Sequence, residues 1–216
     1  SGIHPESEII SVMDKSLDFL ANADCDILIR IAVFHYLFGY IHPFYDGNGR
    51  TDRFISSYLL SKELNGLIGY HISYTIKENI NKYYDAFDTC NHPLNKGDLT
   101  PFAEMFLNLV DISMKQLYDE IKDKLDKFNF YRNLCPKLPN ANHKDITELY
   151  SVLIQASLFS ENGISHKELE IGFKVSYSSV RNKLSYIPDE LLIKNTRERH
   201  AYYMLDLDKV DIMFSK

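Results

Sequence analysis

Twelve residues, His42-Pro43-Phe44-Tyr45-Asp46-Gly47-Asn48-Gly49-Arg50-Thr51-Asp52-Arg53, hold most of the chemistry this chain can do. His42 is the only group in the run that ordinarily titrates near neutrality, as a general base for a hydroxyl must. Asp46 is a hard oxygen ligand, and Mg²⁺ commonly takes one or two carboxylates beside phosphate oxygens and water. Gly47 and Gly49 let the backbone adopt positive φ and come close to a ligand. A helix beginning just after them would present unpaired N–H groups to an anion. Arg50 and Arg53, three apart, share a face of that helix. A cation in a first helical turn costs roughly 0.3–1 kcal/mol against the macrodipole, so two arginines there imply a polyanion in front of them. Together these are the parts for holding a nucleoside triphosphate and passing part of it to a hydroxyl. The alternative is a plain helix–loop–helix connection with ordinary turn residues. No Gly-Lys-Ser/Thr follows the glycines, which excludes a Walker A loop.

The neighbouring elements must position these groups. Residues 6–20 and 24–40 read as helices, the second apolar nearly all round and therefore central. His35 on it reads as a satisfied core histidine. Pro43 biases His42 toward extended backbone, and Phe44 is expected to anchor the loop in the core. Residues 51–60 read as a helix with Phe54, Ile55, Tyr58 and Leu59 as its buried stripe. Asp52, about 100° round the helix from its neighbours, is expected in solvent. A loop is predicted around Gly66–Gly69, one helix over 75–90, and a long one from Thr100-Pro101 toward Leu125.

The signature resembles that of the Fic family, H-P-F-x-D/E-G-N-G-R-x-x-R, and every fixed position from His42 to Arg53 agrees. The approach His35-Tyr36-Leu37-Phe38-Gly39-Tyr40-Ile41 is similar too, and the likeness extends over about residues 5–125. It implies adenylyl transfer from ATP to a Ser, Thr or Tyr hydroxyl of a target protein, with Mg²⁺. By that resemblance His42, Asn48 and Arg50 are catalytic and Asp46 is the metal ligand. Gly47, Asn48, Gly49, Arg50 and Arg53 bind the nucleotide phosphates, and Tyr83, Tyr84 and Asn91 form its base pocket. Related chains carry a β-hairpin flap and an inhibitory helix with a Ser/Thr-x-x-x-Glu-Gly/Asn pattern. The run Ser157–Asn162 fits that pattern only by coincidence at a helix end. Ser1-Gly2 reads as a vector remnant, and a preceding segment bearing flap and inhibitor is expected to be missing.

Composition sets outer bounds. At 216 residues and 45% hydrophobic content the chain can hold a medium domain and a small one. No apolar run is long enough to span a bilayer, so no membrane partner is expected. Cys25, Cys90 and Cys135, odd in number and far apart, fit a reducing, cytoplasmic setting better than a disulfide framework. The net charge of −6 weighs against a dominant nucleic-acid role.

These readings give a mainly α chain: a helical catalytic core over 1–128, a linker over 129–144 where Pro136, Pro139 and several asparagines break the periodicity, and a small domain over 145–216. The small domain resembles a winged helix-turn-helix, with a capping box at Ser165–Glu168 and a hairpin around Asn195–His200. Arg181 and Lys183, with Lys194, Arg197 and Arg199 in the wing, are its candidate DNA contacts. The competing reading is a protein-docking or dimerising module. Three functions therefore stand side by side: an adenylyltransferase, a DNA-binding regulator with a nucleotide-sensing pocket, and a related transferase that uses another donor or removes AMP. A homo-oligomer is a further partner class.

Overall fold

The computed structural model describes residues 2–197 and 200–215. The described residues are mainly helical, with one small antiparallel sheet. The chain divides into two compact units, Ser1–Asp119 and Glu120–Lys216.

In the first unit, α1 (Glu6–Asn22), α2 (Ile27–Ile41), α3 (Asn48–Glu63), α4 (Gly66–Glu78) and α5 (Ile80–Asn91) precede the start of α6 (Thr100–Leu134). Asp26 caps α2 by accepting from Leu28 N at 2.8 Å. The helix then buries Ile31, Ala32, Phe34, Tyr36, Phe38 and Ile41, while Ile29 and Tyr40 stay exposed, so it is central without being buried all round. Phe102, Phe106, Leu109 and Val110 of α6 close the same core.

Two predicted elements differ. Gly66–Gly69 opens α4 instead of forming a loop, because Asn65 caps it by accepting from Leu67 N. The single helix expected over 75–90 is two, α4 and α5, broken at Asn79. Asn79 Nδ2 donates to Thr75 O at 3.0 Å, so the side chain takes up a carbonyl at the end of α4.

In the second unit α6 continues through Leu134, well beyond Leu125, and a 3-10 turn at Cys135–Lys137 follows. Next come α7 (Ile146–Phe159), β1 (Ile164–Ser165), α8 (His166–Phe173), α9 (Tyr177–Leu184), β2 (Leu192–Arg197), β3 (His200–Leu205) and α10 (Leu207–Phe214). The sheet order is β1-β3-β2, and Arg197 faces His200 at the end of the hairpin. The expected capping box is present: Ser165 Oγ accepts from Glu168 N, and Glu168 accepts from Ser165 N. Gly163, at φ +93, sits where an added Cβ would lie 2.7 Å from Tyr203 O, so no larger residue fits before β1. Ser157 joins α7 to β3 by donating to Leu205 O and accepting from Leu205 N. The helix that carries it ends at Phe159, with Ser160 as its C-cap. Helix α10, which the periodicity had not suggested, is capped by Asp206 and packs through Val210.

Phe106 is fully buried beside His35, with ring centroids 4.9 Å apart. Phe106→Ala should therefore destabilise the first unit by about 3–5 kcal/mol, read as a lower urea midpoint.

Candidate functional site

The loop between α2 and α3 carries the signature, and its shape follows from three local contacts. His42 is the C-cap of α2, its N–H donating to Phe38 O at 3.0 Å. Its backbone is left-handed, φ 53 and ψ 58, not the extended form that Pro43 favours. The helix-end hydrogen bond outweighs the proline's bias, and His tolerates this region better than most residues. Holding a non-glycine residue there costs on the order of 1–3 kcal/mol, the kind of strain that collects at functional positions. At the other end, Gly47 (φ 83) is the N-cap of α3 and accepts from Thr51 N. Gly49 lies inside the helix, so only one of the two glycines uses positive φ.

Asn48 holds the loop together. It is buried; its Oδ1 accepts from Phe44 N at 2.8 Å and its Nδ2 donates to Phe44 O at 2.6 Å. The amide that the family resemblance assigns to phosphate therefore spends both ends on the backbone four residues earlier, with one N–H left over. Phe44, expected in the core, is half exposed and leans on Phe38. The short loop clamped by Asn48 leaves it no room to reach inward.

Asp46 accepts from Gly47 N at 2.7 Å and pairs with Arg50 Nη2 at 3.2 Å. Both side chains are largely exposed, so this pair is worth only a few tenths of a kcal/mol and either partner is free to meet a ligand. Arg50 and Arg53 lie back over the glycines. A Cβ on Gly47 would be 3.6 Å from Arg50 Nη2, and one on Gly49 would be 3.2 Å from Arg53 Nη1. The two guanidiniums, the turn and the start of α3 thus form one cationic, donor-rich corner.

Both arginines also line a cavity of about 450 Å³ between α3 and α4, with Phe54, Ser57, Tyr58, Ser61, Tyr70 and Ser73. This corrects the predicted buried stripe. Phe54 is 74% and Tyr58 55% exposed, and the residues α3 buries are Asn48, Asp52, Ser56 and Leu60. Four-residue spacing of polar residues marks this inward face, a signal masked by the apolar pairs beside it.

Asp52, expected in solvent, is 1% exposed. Its Oδ1 lies 3.1 Å from His35 Nδ1, which Ser56 Oγ also meets at 2.7 Å; His35 Nε2 meets Tyr83 Oη at 2.8 Å. His35 is thus the satisfied core histidine expected of it. Tyr83, read as a base-pocket residue, is instead a core residue at 4% exposure. Tyr84 is exposed on α5, and Asn91 accepts from Tyr36 Oη at 2.7 Å. Neither lines the cavity that holds the arginines.

In the second unit, Lys183, a candidate DNA contact, is largely buried. Its ammonium pairs with Asp145 and lies over the Phe173 ring. Arg197 donates to Asn162 Oδ1 at 3.1 Å, while Arg181 is exposed. Lys194 is exposed on β2, and Arg199 lies outside the described residues.

Residues 1–60 match the Fic/DOC family. That segment contains His42 to Arg53 and ends before Tyr83, Tyr84 and Asn91. The protein adenylyltransferase Fic of Culex quinquefasciatus is 30% identical over 113 residues, 50% of this chain and 21% of that protein. The Nematostella vectensis protein of the same name is 35% identical over 93 residues, 42% of this chain and 20% of its own length. The chain spans about a fifth of each of these curated relatives. Among solved structures, a Fic family protein from Desulfovibrio desulfuricans G20 is 22% identical, with a TM-score of 0.49, covering 94% of this chain and 56% of that one.

The buried His35 and Asp52 side chains, both inside the Fic/DOC-matched segment, are shifted toward their uncharged forms. Burial lowers His35 from its ordinary 6.5 to about 3, and the nearby Arg53 cation adds to the effect. Burial likewise raises Asp52 well above its ordinary 3.8, which Arg53 only partly opposes. Both shifts favour the uncharged form of their group. Between about pH 3.8 and 6.5 the two shifts act on stability in opposite directions, so within the pair they oppose each other. In Asp52→Asn the lowered His35 acts alone, and stability falls as pH drops below 6.5 toward 3. In His35→Gln the raised Asp52 acts alone, and stability falls as pH rises above 3.8. Urea midpoints of the two variants across that window should slope in opposite directions; parallel slopes would contradict the two opposed shifts.

Proposed function

We propose that this protein transfers AMP from ATP to a hydroxyl of a target protein. One observation carries the reading. A strained, exposed His42 closes α2, one short clamped loop away from an α3 N-terminus over which two arginines lean, all within the segment that matches the Fic/DOC family. The relatives named protein adenylyltransferase support the same reaction class.

In this reading the His42 imidazole takes the proton from the acceptor hydroxyl. The oxygen attacks the α-phosphorus, a new P–O ester bond forms, and the bond to the bridging oxygen breaks so that pyrophosphate leaves with the electron pair. The N–H groups of Asn48 and Gly49 face the charge that grows on the α-phosphate, with Gly47, whose own N–H is held by Asp46, shaping the turn, while Arg50 and Arg53 hold the β- and γ-phosphates. Asp46 is the residue that would hold Mg²⁺. Among the described residues no group of three or more His, Cys, Asp or Glu would bind a metal alone. One accessible carboxylate joined by substrate phosphates is nonetheless an ordinary magnesium donor set. Bound there, Mg²⁺ would supply positive charge to the triphosphate. Tyr84 and Asn91 stay candidates for contact with the base. The unpaired Cys25, Cys90 and Cys135 fit a cytoplasmic setting, and no helix among the described residues is long and apolar enough to cross a membrane.

For the second unit we infer a winged-helix module, from the order α7-β1-α8-α9-β2-β3 with β1 pairing to β3. With Lys183 ion-paired and Arg197 hydrogen-bonded, a protein-docking role fits its exposed side chains better than DNA binding does.

Incubation with labelled ATP tests the main reading. Label should pass to protein from the α-phosphate and not from the γ-phosphate. His42→Ala should lower that transfer by about 10²–10⁴ while ATP binding by calorimetry stays close to that of the unaltered protein. Transfer of γ-label would replace the proposal with a kinase reaction.

A further inference from the structure

The Asp52 and Ser56 side chains on the buried face of α3 take no part in the chemistry just described, yet burying them is expensive. Asp52 Oδ1 is buried and makes no well-formed hydrogen bond despite lying 3.1 Å from the imidazole. A buried polar atom left in this state calls for an explanation. Packing alone does not supply one, since apolar groups of similar volume often serve as well or better in a core.

Geometry supplies the explanation. Asp52 and Ser56 sit one turn apart on α3, and both reach the same nitrogen, His35 Nδ1. The hydrogen bond from Ser56 and the close contact of Asp52, one turn apart on the same helix, together resist rotation of that helix about its own axis more than either would alone. The point itself is immobile. His35 Nε2 is held by Tyr83 Oη from α5, and the ring lies against Phe102 and Phe106 of α6, with centroids 5.9 and 4.9 Å away. On α2, His35 precedes His42 by seven residues, two helical turns, so the fixed ring and the cap lie near one line along the helix. On α3, Asp52 is flanked by Arg50 two residues before and Arg53 directly after. Any rotation of α3 that moves Asp52 swings both guanidiniums and the glycine turn relative to His42.

We propose that Asp52 and His35 are positioning residues: with Ser56 they set the rotation of α3 against α2, and so the angle at which the phosphate-binding turn meets the general base. Neither touches substrate. The kinetic part of the proposal rests on the transferase reading; the structural part does not. A positioning role separates from a packing role because it trades stability for orientation. Misplacing groups that must align in the transition state costs rate more than ground-state binding.

The test uses Asp52→Asn, His35→Gln and the double variant. Asp52→Asn should melt no lower than the unaltered protein near neutral pH, yet lose about ten- to a hundredfold in kcat with a smaller change in KM for ATP. The double variant should lose no more than the worse single variant, because the residues act as one unit. Backbone amide resonances of Gly47, Gly49 and Arg50 should shift in Asp52→Asn, although none of them touches the altered side chain. Unchanged kcat with unmoved loop resonances would overturn the proposal, as would losses that multiply in the double variant. If the unaltered protein transfers no AMP, the transferase reading fails. The loop resonances of Asp52→Asn then decide the positioning role alone, a shift supporting it and none overturning it. Should Asp52→Asn not fold, Ser56→Ala removes the hydrogen bond from Ser56 and is read in the same way.

Discussion

The first unit depends on a single imidazole placed where four helices meet. His35 leaves water entirely, and that is affordable only because both ring nitrogens find hydrogen-bond partners, Ser56 from α3 and Tyr83 from α5, with Asp52 Oδ1 of α3 lying 3.1 Å from the first. Its faces are covered by aromatic rings of α6. A hydrophobic contact would tolerate sliding of these helices by an ångström or so. Directional bonds to a trapped ring do not, and this gives α2 and α3 one angular relationship.

From that relationship the candidate site is assembled with few further devices. The end of α2 is closed by the backbone of His42, and the start of α3 by Gly47. Between them the Asn48 side chain ties the loop to itself at Phe44. Each device concerns backbone geometry, and each leaves the chemical groups in water: the His42 ring, the Asp46 carboxylate and the Arg50 guanidinium are all exposed. Rigid backbone below and accessible side chains above is the arrangement a site for a large, charged substrate calls for.

Charge follows the same division. Burial shifts Asp52 and His35 toward their uncharged forms, and the nearby Arg53 charge disfavours a cationic His35 still further. Arg53 is therefore not consumed by an internal carboxylate. Its positive charge remains directed to the corner it shares with Arg50, where an anion would meet it.

Much of this was legible in the chain itself. The signature from His42 to Arg53, the apolar α2, the capping box at Ser165 and the hairpin near Asn195–His200 all rest on spacing within a few residues, and local backbone chemistry decides such features. What failed depended on distant residues. Asp52 and Tyr83 look like a surface acid and a pocket aromatic until His35 is seen to contact both. Phe54 and Tyr58 look like core until Asn48, Asp52, Ser56 and Leu60 are found to occupy the inward face. Hydrophobic periodicity identifies a helix, but the face it buries is chosen by whichever partners the tertiary fold offers. A polar face turns inward when a neighbour can satisfy it, and sequence spacing alone carries no record of that neighbour.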